Sequence, residues 1–176
     1  MRTVREAADS NIGISDFRIQ ISDLRIEEDR PRGQAFGLLV HELLAQAPLD
    51  ASRDALETRA QAQARILDLP GADAKAAAAL VARILRHDLL RRANAAAARS
   101  ACRRETPVTL TLDDGTLVEG VVDLAFEEAG RWTVVDFKTD WDLGFREEQY
   151  VQQVRLYAGA IAAATQSPVD AVILQV

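Results

Sequence analysis

Three acids and a lysine in the second half of the chain stand at spacings that could serve one piece of chemistry. Glu105, Asp123, Asp136 and Lys138 fall in runs whose apolar residues alternate, the pattern of β-strands. A hairpin turning at Ala129 and Gly130 sets Asp123 directly across from Asp136, and one turning on Asp114 sets Glu105 across from Asp123. The three carboxylates then form a row across three strands. Lys138 falls on the same side as Asp136, while Val122, Leu124, Val135 and Phe137 turn the other way into the core. A one-residue slip or a bulge would break this row. Carboxylates packed so closely repel one another and hold on to protons unless a cation lies between them. Oxygen donors favour Mg2+ or Mn2+, ions that keep several waters and take phosphate oxygens into their shell. A lysine beside such an ion can orient a water or stabilise charge developing on a phosphate. The set suits hydrolysis of a phosphodiester. His41, one helical turn after Gly37, adds an imidazole on a face where the glycine leaves clearance for a ligand or a neighbouring element.

Periodicity gives the elements that must position these groups. Phe36, Leu39, Val40, Leu43 and Leu44 mark a helix running to Ala47 and closed by Pro48. A second helix spans about Ser52 to Leu67, before the Pro70-Gly71 turn. A third starts at Asp73 as its N-cap, follows the Ala-rich run to about Arg92, and continues or restarts to about Ser100. Then the period changes to two. Val108 to Leu112, Thr116 to Phe126 and Trp132 to Phe137 read as a three-stranded antiparallel meander, Glu147 to Ala164 as a helix, and Ala171 to Leu174 as a final strand. The order is that of an α/β fold. Residues 1–32 stand apart as an atypical N-terminal extension, because ISDFRI (Ile14 to Ile19) recurs as ISDLRI (Ile21 to Ile26), although the alternation Phe17, Ile19, Ile21 suits a short strand. Residues 33–176 form the domain proper.

Composition bounds the rest. A chain of 176 residues, 48% hydrophobic, can bury one core but hardly two. It has no apolar run of the ~18 residues a membrane span needs and no apolar signal core at its N-terminus, so a cytoplasmic protein without membrane partners is expected. Cys102 is the single cysteine, which excludes an intrachain disulfide and an iron-sulfur cluster held by thiolates; it reads as a small buried residue. The net charge of -6 argues against a whole surface that grips nucleic acid. Phosphate contacts must then fall to a few cations such as Arg32, Lys138, Arg146 and Arg155.

Five segments occur in an order and spacing that match a known family: G-L-L-V-H (Gly37 to His41), R-E-T-P (Arg104 to Pro107), E-G-V-V-D-L (Glu119 to Leu124), V-V-D-F-K-T-D (Val134 to Asp140) and Y-V-Q-Q-V-R-L-Y (Tyr150 to Tyr157). From about Gly37 onward the chain resembles the RecB-like nuclease domain of the PD-(D/E)XK superfamily, most closely the C-terminal nuclease domain of AddA-type helicase-nuclease subunits. The resemblance implies a restriction-endonuclease-like core, with N-terminal helices and with the meander, the following helix and the last strand built on a central mixed sheet. It implies that His41, Asp123 and Asp136 coordinate a metal with the backbone carbonyl of Phe137, and that Lys138 is the catalytic lysine. Gln153 and Tyr157, the family's Q-x-x-x-Y pair, would support the site and contact DNA, and Glu105 is a candidate additional acid. The implied activity is Mg2+- or Mn2+-dependent hydrolysis of DNA phosphodiesters, as an exonuclease in double-strand-break repair and recombination. Its implied partners are a helicase motor and an AddB/RecC-like subunit. No phosphate-binding G-x-x-x-x-G-K-[ST] loop precedes the domain, so the chain is not expected to unwind DNA by itself.

Taken singly, the same residues have plainer readings. His41 and the Gln153–Tyr157 pair could serve helix packing, Asp136 and Lys138 a surface ion pair, Glu105 a contact with Arg103 or Arg104. His87 reads as part of a solvated helix face, and Trp141 suits stacking on a base or packing in an interface or core. The alternative at the level of the chain is a catalytically silent DNA- or partner-binding module, or a truncated relic of a helicase-nuclease.

Overall fold

A computed structural model describes residues 2–3, 18–24, 31, 33–139 and 146–176. Phe17, Arg32, Asp140 and Trp141, singled out above, lie outside the described residues, as does most of the first copy of the duplicated segment. In chain order the elements are β1 (Arg2–Thr3), β2 (Ile19–Asp23), α1 (Gln34–Gln46), α2 (Arg53–Ile66), α3 (Gly71–Ile84), α4 (Asp88–Ala97), β3 (Cys102–Thr111), β4 (Leu117–Glu128), β5 (Arg131–Lys138), α5 (Glu147–Thr165) and β6 (Val169–Gln175). They divide into two compact units: a sheet unit of Met1–Asp23 with Ala96–Gln175, and a helical unit of Leu24–Ala95 with Val176.

The sheet unit is built on the expected meander. β3, β4 and β5 pair antiparallel, α5 crosses over to β6, and β6 pairs parallel with β5. The strand order is β1-β4-β5-β6-β2, with β3 also on β4, so the sheet is mixed. The β4–β5 turn fixes the register. Ala129 and Gly130 both take positive φ, 51° and 78°, which is the two-residue turn whose twist matches a right-twisted hairpin. From Glu128 opposite Arg131 the ladder runs back to Leu124 opposite Val135, which brings Asp123 and Asp136 to the next level. On the other side, Arg104 faces Leu124 and Thr106 faces Val122, leaving Glu105 level with Asp123. At that level the chain departs from plain alternation: Glu105 has φ 46°, in the left-handed region. Val118, Val122 and Ala125 all join the core beneath α5, which an unbroken period of two forbids, so β4 changes its inward face between Val122 and Ala125. The core is completed by Val134, Val154, Leu156, Tyr157, Ile161, Ala171 and Ile173.

Ile19–Asp23, in the N-terminal stretch whose alternation suits a short strand, pairs in parallel with β6, Ile19 on Ala171 through Asp23 on Gln175, and forms an outer strand of the sheet. One sequence expectation is corrected by these elements. The helix expected from Asp73 to about Arg92 is two helices, with α3 starting at Gly71 after Pro70 and Asp73 within its first turn rather than at its cap. The break has a local cause. His87 accepts the Leu89 N–H on its ring Nδ1 at 3.3 Å, and its carbonyl accepts the N–H groups of Leu90 and Arg91. His87 is therefore the half-buried start of α4, not part of a solvated face.

Within the helical unit, Ser52 caps α2 by accepting the Ala55 N–H. α2 and α3 pack on each other and bury mostly small residues, Ala60 and Ala64 on one, Ala74, Ala77 and Ala78 on the other. α1 buries Phe36, Leu39, Val40, Leu43 and Leu44, the stripe its spacing announces. Among the described residues no helix is long and apolar enough to cross a membrane.

Candidate active site

The chemistry-bearing residues of the sheet unit converge where β4, β5 and α5 meet. Asp136 is buried, 2% exposed, near the end of β5, and its Oδ2 lies 2.6 Å from Lys138 Nζ in an ion pair without hydrogen-bond geometry. Two residues apart on one strand, the pair shares a face, as period two requires. Asp123, half-buried on β4, accepts the Phe137 N–H on Oδ2 at 2.8 Å, so its carboxylate is fixed by the main chain between Asp136 and Lys138.

α5 supplies the second layer through one face of its first turns. Tyr150, Gln153 and Tyr157 recur at helical spacing toward the sheet. Lys138 Nζ sits 4.5 Å over the centroid of the Tyr150 ring and donates to Gln153 Oε1 at 3.2 Å; Gln153 Nε2 in turn donates to the Tyr157 hydroxyl at 2.8 Å. A chain of contacts thus runs from Asp136 through Lys138 and Gln153 to Tyr157, and a backbone hydrogen bond with Val121 ties Tyr157 to β4.

The electrostatics follow from burial. Burial pushes the Asp123 carboxyl up to about 6; the Phe137 amide and the Lys138 charge pull it down, and Glu105 pushes it up further. Burial also pushes the Tyr157 phenol up to about 12, reinforced by the charges of Asp136 and Asp123 against the hydrogen bonds from Gln153 and Val121. Tyr157 is therefore a neutral hydrogen-bonding group at neutral pH rather than a base. Burial raises the Cys102 thiol against the pull of Arg104 and Arg103, which keeps it a protonated, half-buried thiol.

Of the residues expected to work together, the structure brings Asp123, Asp136, the Phe137 main chain, Lys138, Gln153 and Tyr157 into one cluster. Glu105 is exposed on β3, level with Asp123 and felt by it as a like charge. His41 is half-buried on α1 and belongs to the helical unit. Among the described residues no three His, Cys, Asp or Glu side chains are gathered to hold a metal ion. The donor chemistry nonetheless suits a small hard cation: two oxygen donors share a buried corner, one resists ionising there, and the Lys138 ammonium is shared between them. Tyr150 is the residue that sequence reasoning left without a role. Its signal was present, since it stands three residues before Gln153 and seven before Tyr157, on the same helical face.

Residues 16–176 match the family model for the PD-(D/E)XK nuclease superfamily. The chain belongs to that superfamily. It is also 37% identical over 73 residues to an ATP-dependent helicase/nuclease subunit of Listeria monocytogenes serotype 4b (strain F2365), a stretch that covers 36% of this chain and 6% of that protein. The chain therefore spans a small fraction of that relative's length. The superfamily match begins at residue 16 and so includes β2, in agreement with its place in the sheet. In this PD-(D/E)XK chain the mixed sheet, with its antiparallel meander and its α5 crossover, is the frame that carries the acidic pair and the lysine.

Proposed function

We propose that this chain is a divalent-metal-dependent DNA nuclease domain, acting as an exonuclease on DNA ends in double-strand-break repair and recombination beside a helicase motor and an AddB/RecC-like subunit. The observation that carries the reading is the single cluster of Asp123, Asp136 and Lys138, backed by Gln153 and Tyr157, in a member of a nuclease superfamily. Asp123, Asp136 and the Phe137 carbonyl would hold Mg2+ or Mn2+, and Glu105 is a further acid level with Asp123. The ion would supply a polarised water and charge neutralisation at the scissile phosphate. Asp123 and Asp136 place negative charge where the ion must sit, and the backbone bond from Phe137 keeps Asp123 from swinging away. Lys138 Nζ, held between the Tyr150 ring and Gln153, offers its N–H groups to the attacking water or to the charge that develops on phosphate oxygens. Gln153 takes one N–H of Lys138 and so restricts its rotamers, while Tyr157 fixes the Gln153 amide in that orientation.

A second reading is a silent DNA- or partner-binding module, favoured by the Asp136–Lys138 ion pair, in which the ammonium already takes a carboxylate oxygen that a metal would use. Digestion of linear single- and double-stranded DNA at low salt, with Mg2+, Mn2+ or EDTA, separates the two. Shortened products that need the metal support the nuclease. Intact DNA in every condition supports the module.

A further inference from the structure

A cavity of about 560 Å³ lies within the helical unit, lined by Leu49, Asp50, Leu85, Arg86, Arg91 and Asn94. Leu49 and Asp50 come from the α1–α2 connection, Leu85 and Arg86 from the α3–α4 connection, and Arg91 and Asn94 from one face of α4. The two leucines are buried and give it an apolar floor, while both arginines are exposed at its rim. Neither guanidinium makes an ion pair or a hydrogen bond with any described residue, although the molecule as a whole carries a charge of -6. Two cations gathered around one cavity repel each other, and among the described residues the only acid lining it is Asp50. An anion relieves that repulsion. Guanidinium forks match phosphate oxygens in geometry as well as charge, Asn94 can donate or accept, and a leucine floor suits a sugar or the face of a base. The pocket is open to solvent along one side, as a passing strand requires, and its volume is far more than a bare phosphate fills.

We propose that this cavity is a binding site for the phosphodiester backbone of a nucleic-acid strand, with Arg86 and Arg91 on phosphates and Leu49 and Leu85 beneath the sugar or base between them. The site goes beyond the proposed cleavage centre and stands whether or not the chain cuts DNA. Its break between α3 and α4 at His87 has a consequence here: it turns Arg86 and Arg91, which one continuous helix would set on a single rod, toward a common cavity from two segments.

The test is fluorescence anisotropy of a labelled ten-nucleotide dT oligonucleotide with the full chain in EDTA and low salt, where no turnover occurs. The Arg86→Ala/Arg91→Ala variant should bind at least about tenfold more weakly and lower the slope of log K against log salt by about 1.4, two phosphate contacts on a single strand. Asp50→Asn should bind more tightly. Arg59→Ala, which removes an exposed charge of α2, should change the affinity by less than about twofold. All these side chains are exposed, and unchanged melting curves would show that the fold is kept. The proposal fails if the unaltered chain does not bind the oligonucleotide, if the double variant binds as the parent does, or if Arg59→Ala loses half or more of the binding energy lost by the double variant. It also fails if inorganic phosphate alone, at matched ionic strength, displaces the oligonucleotide as well as unlabelled dT does. A chain that never cuts DNA but shows the arginine dependence would retire the nuclease reading and keep this one.

Discussion

At the scale of single residues, the cluster is a balance between buried acids and one lysine, and it is tilted. Asp136 is almost fully buried beside Lys138, whereas Lys138 keeps the Tyr150 ring and Gln153 if its acid is removed. Removing one partner of a buried pair leaves the other charge in the interior, at a cost that grows with its burial, and the Asp136 side chain is 3% exposed against 15% for Lys138. Lys138→Ala should therefore destabilise the metal-free protein by about 2–4 kcal/mol, and Asp136→Ala by clearly less, as read by urea denaturation in EDTA. Equal losses would contradict the tilt. Asp123 gives a second test. Its carboxyl is raised in the folded chain to about 6, so the fold prefers it protonated, and stability falls as pH rises from the unfolded value near 4 through about 6. Asp123→Asn keeps an oxygen for the Phe137 N–H and removes the charge. It should stabilise the metal-free chain by about 1–2 kcal/mol at pH 7, with little change at pH 4. A variant less stable than the parent at pH 7 would show that the carboxylate is welcome there. These residues were legible in the sequence because two turns fix the hairpins: Ala129-Gly130 and Asp113-Asp114-Gly115 locate Asp123 against Asp136 and Glu105 before any coordinate is known. The positive φ of Glu105 was not legible, since nothing in R-E-T-P distinguishes a plain strand from one that turns a face.

At the scale of elements, helix boundaries were the least visible. The Ala-rich run through Arg92 keeps helical spacing across the break, and what stops α3 is a side chain folding back onto the next helix. His87→Ala should cost about 1 kcal/mol through loss of that cap, and His87→Asn should recover most of it, because asparagine is a good cap residue. Thermal melts of the two variants decide it; equal melting temperatures for parent and alanine variant would remove the cap from the account. α5 shows the opposite case. Its apolar positions and its Gln153–Tyr157 spacing announced both the helix and the face it turns to the sheet, because i, i+4 geometry is local.

At the scale of the molecule, the sheet is longer than local patterning suggests. β2 pairs with β6 across some 150 residues of sequence, and a five-residue parallel strand leaves no hairpin turn to signal it. A chain shortened to begin at Gly33 should expose the edge of β6, melt at a lower temperature and aggregate more readily than the full chain, measured by thermal melting with light scattering. An unchanged melting temperature would mark residues 1–32 as a dispensable extension. The acidic balance works at the same scale: with a net charge of -6, any hold on DNA rests on a few cations and must weaken steeply with salt. The most direct test of the central claim is the rate at which Asp136→Ala cleaves linear DNA beside the parent in Mg2+ or Mn2+. A loss of at least ~10³-fold with the fold retained is expected. Cleavage at the parental rate would contradict it.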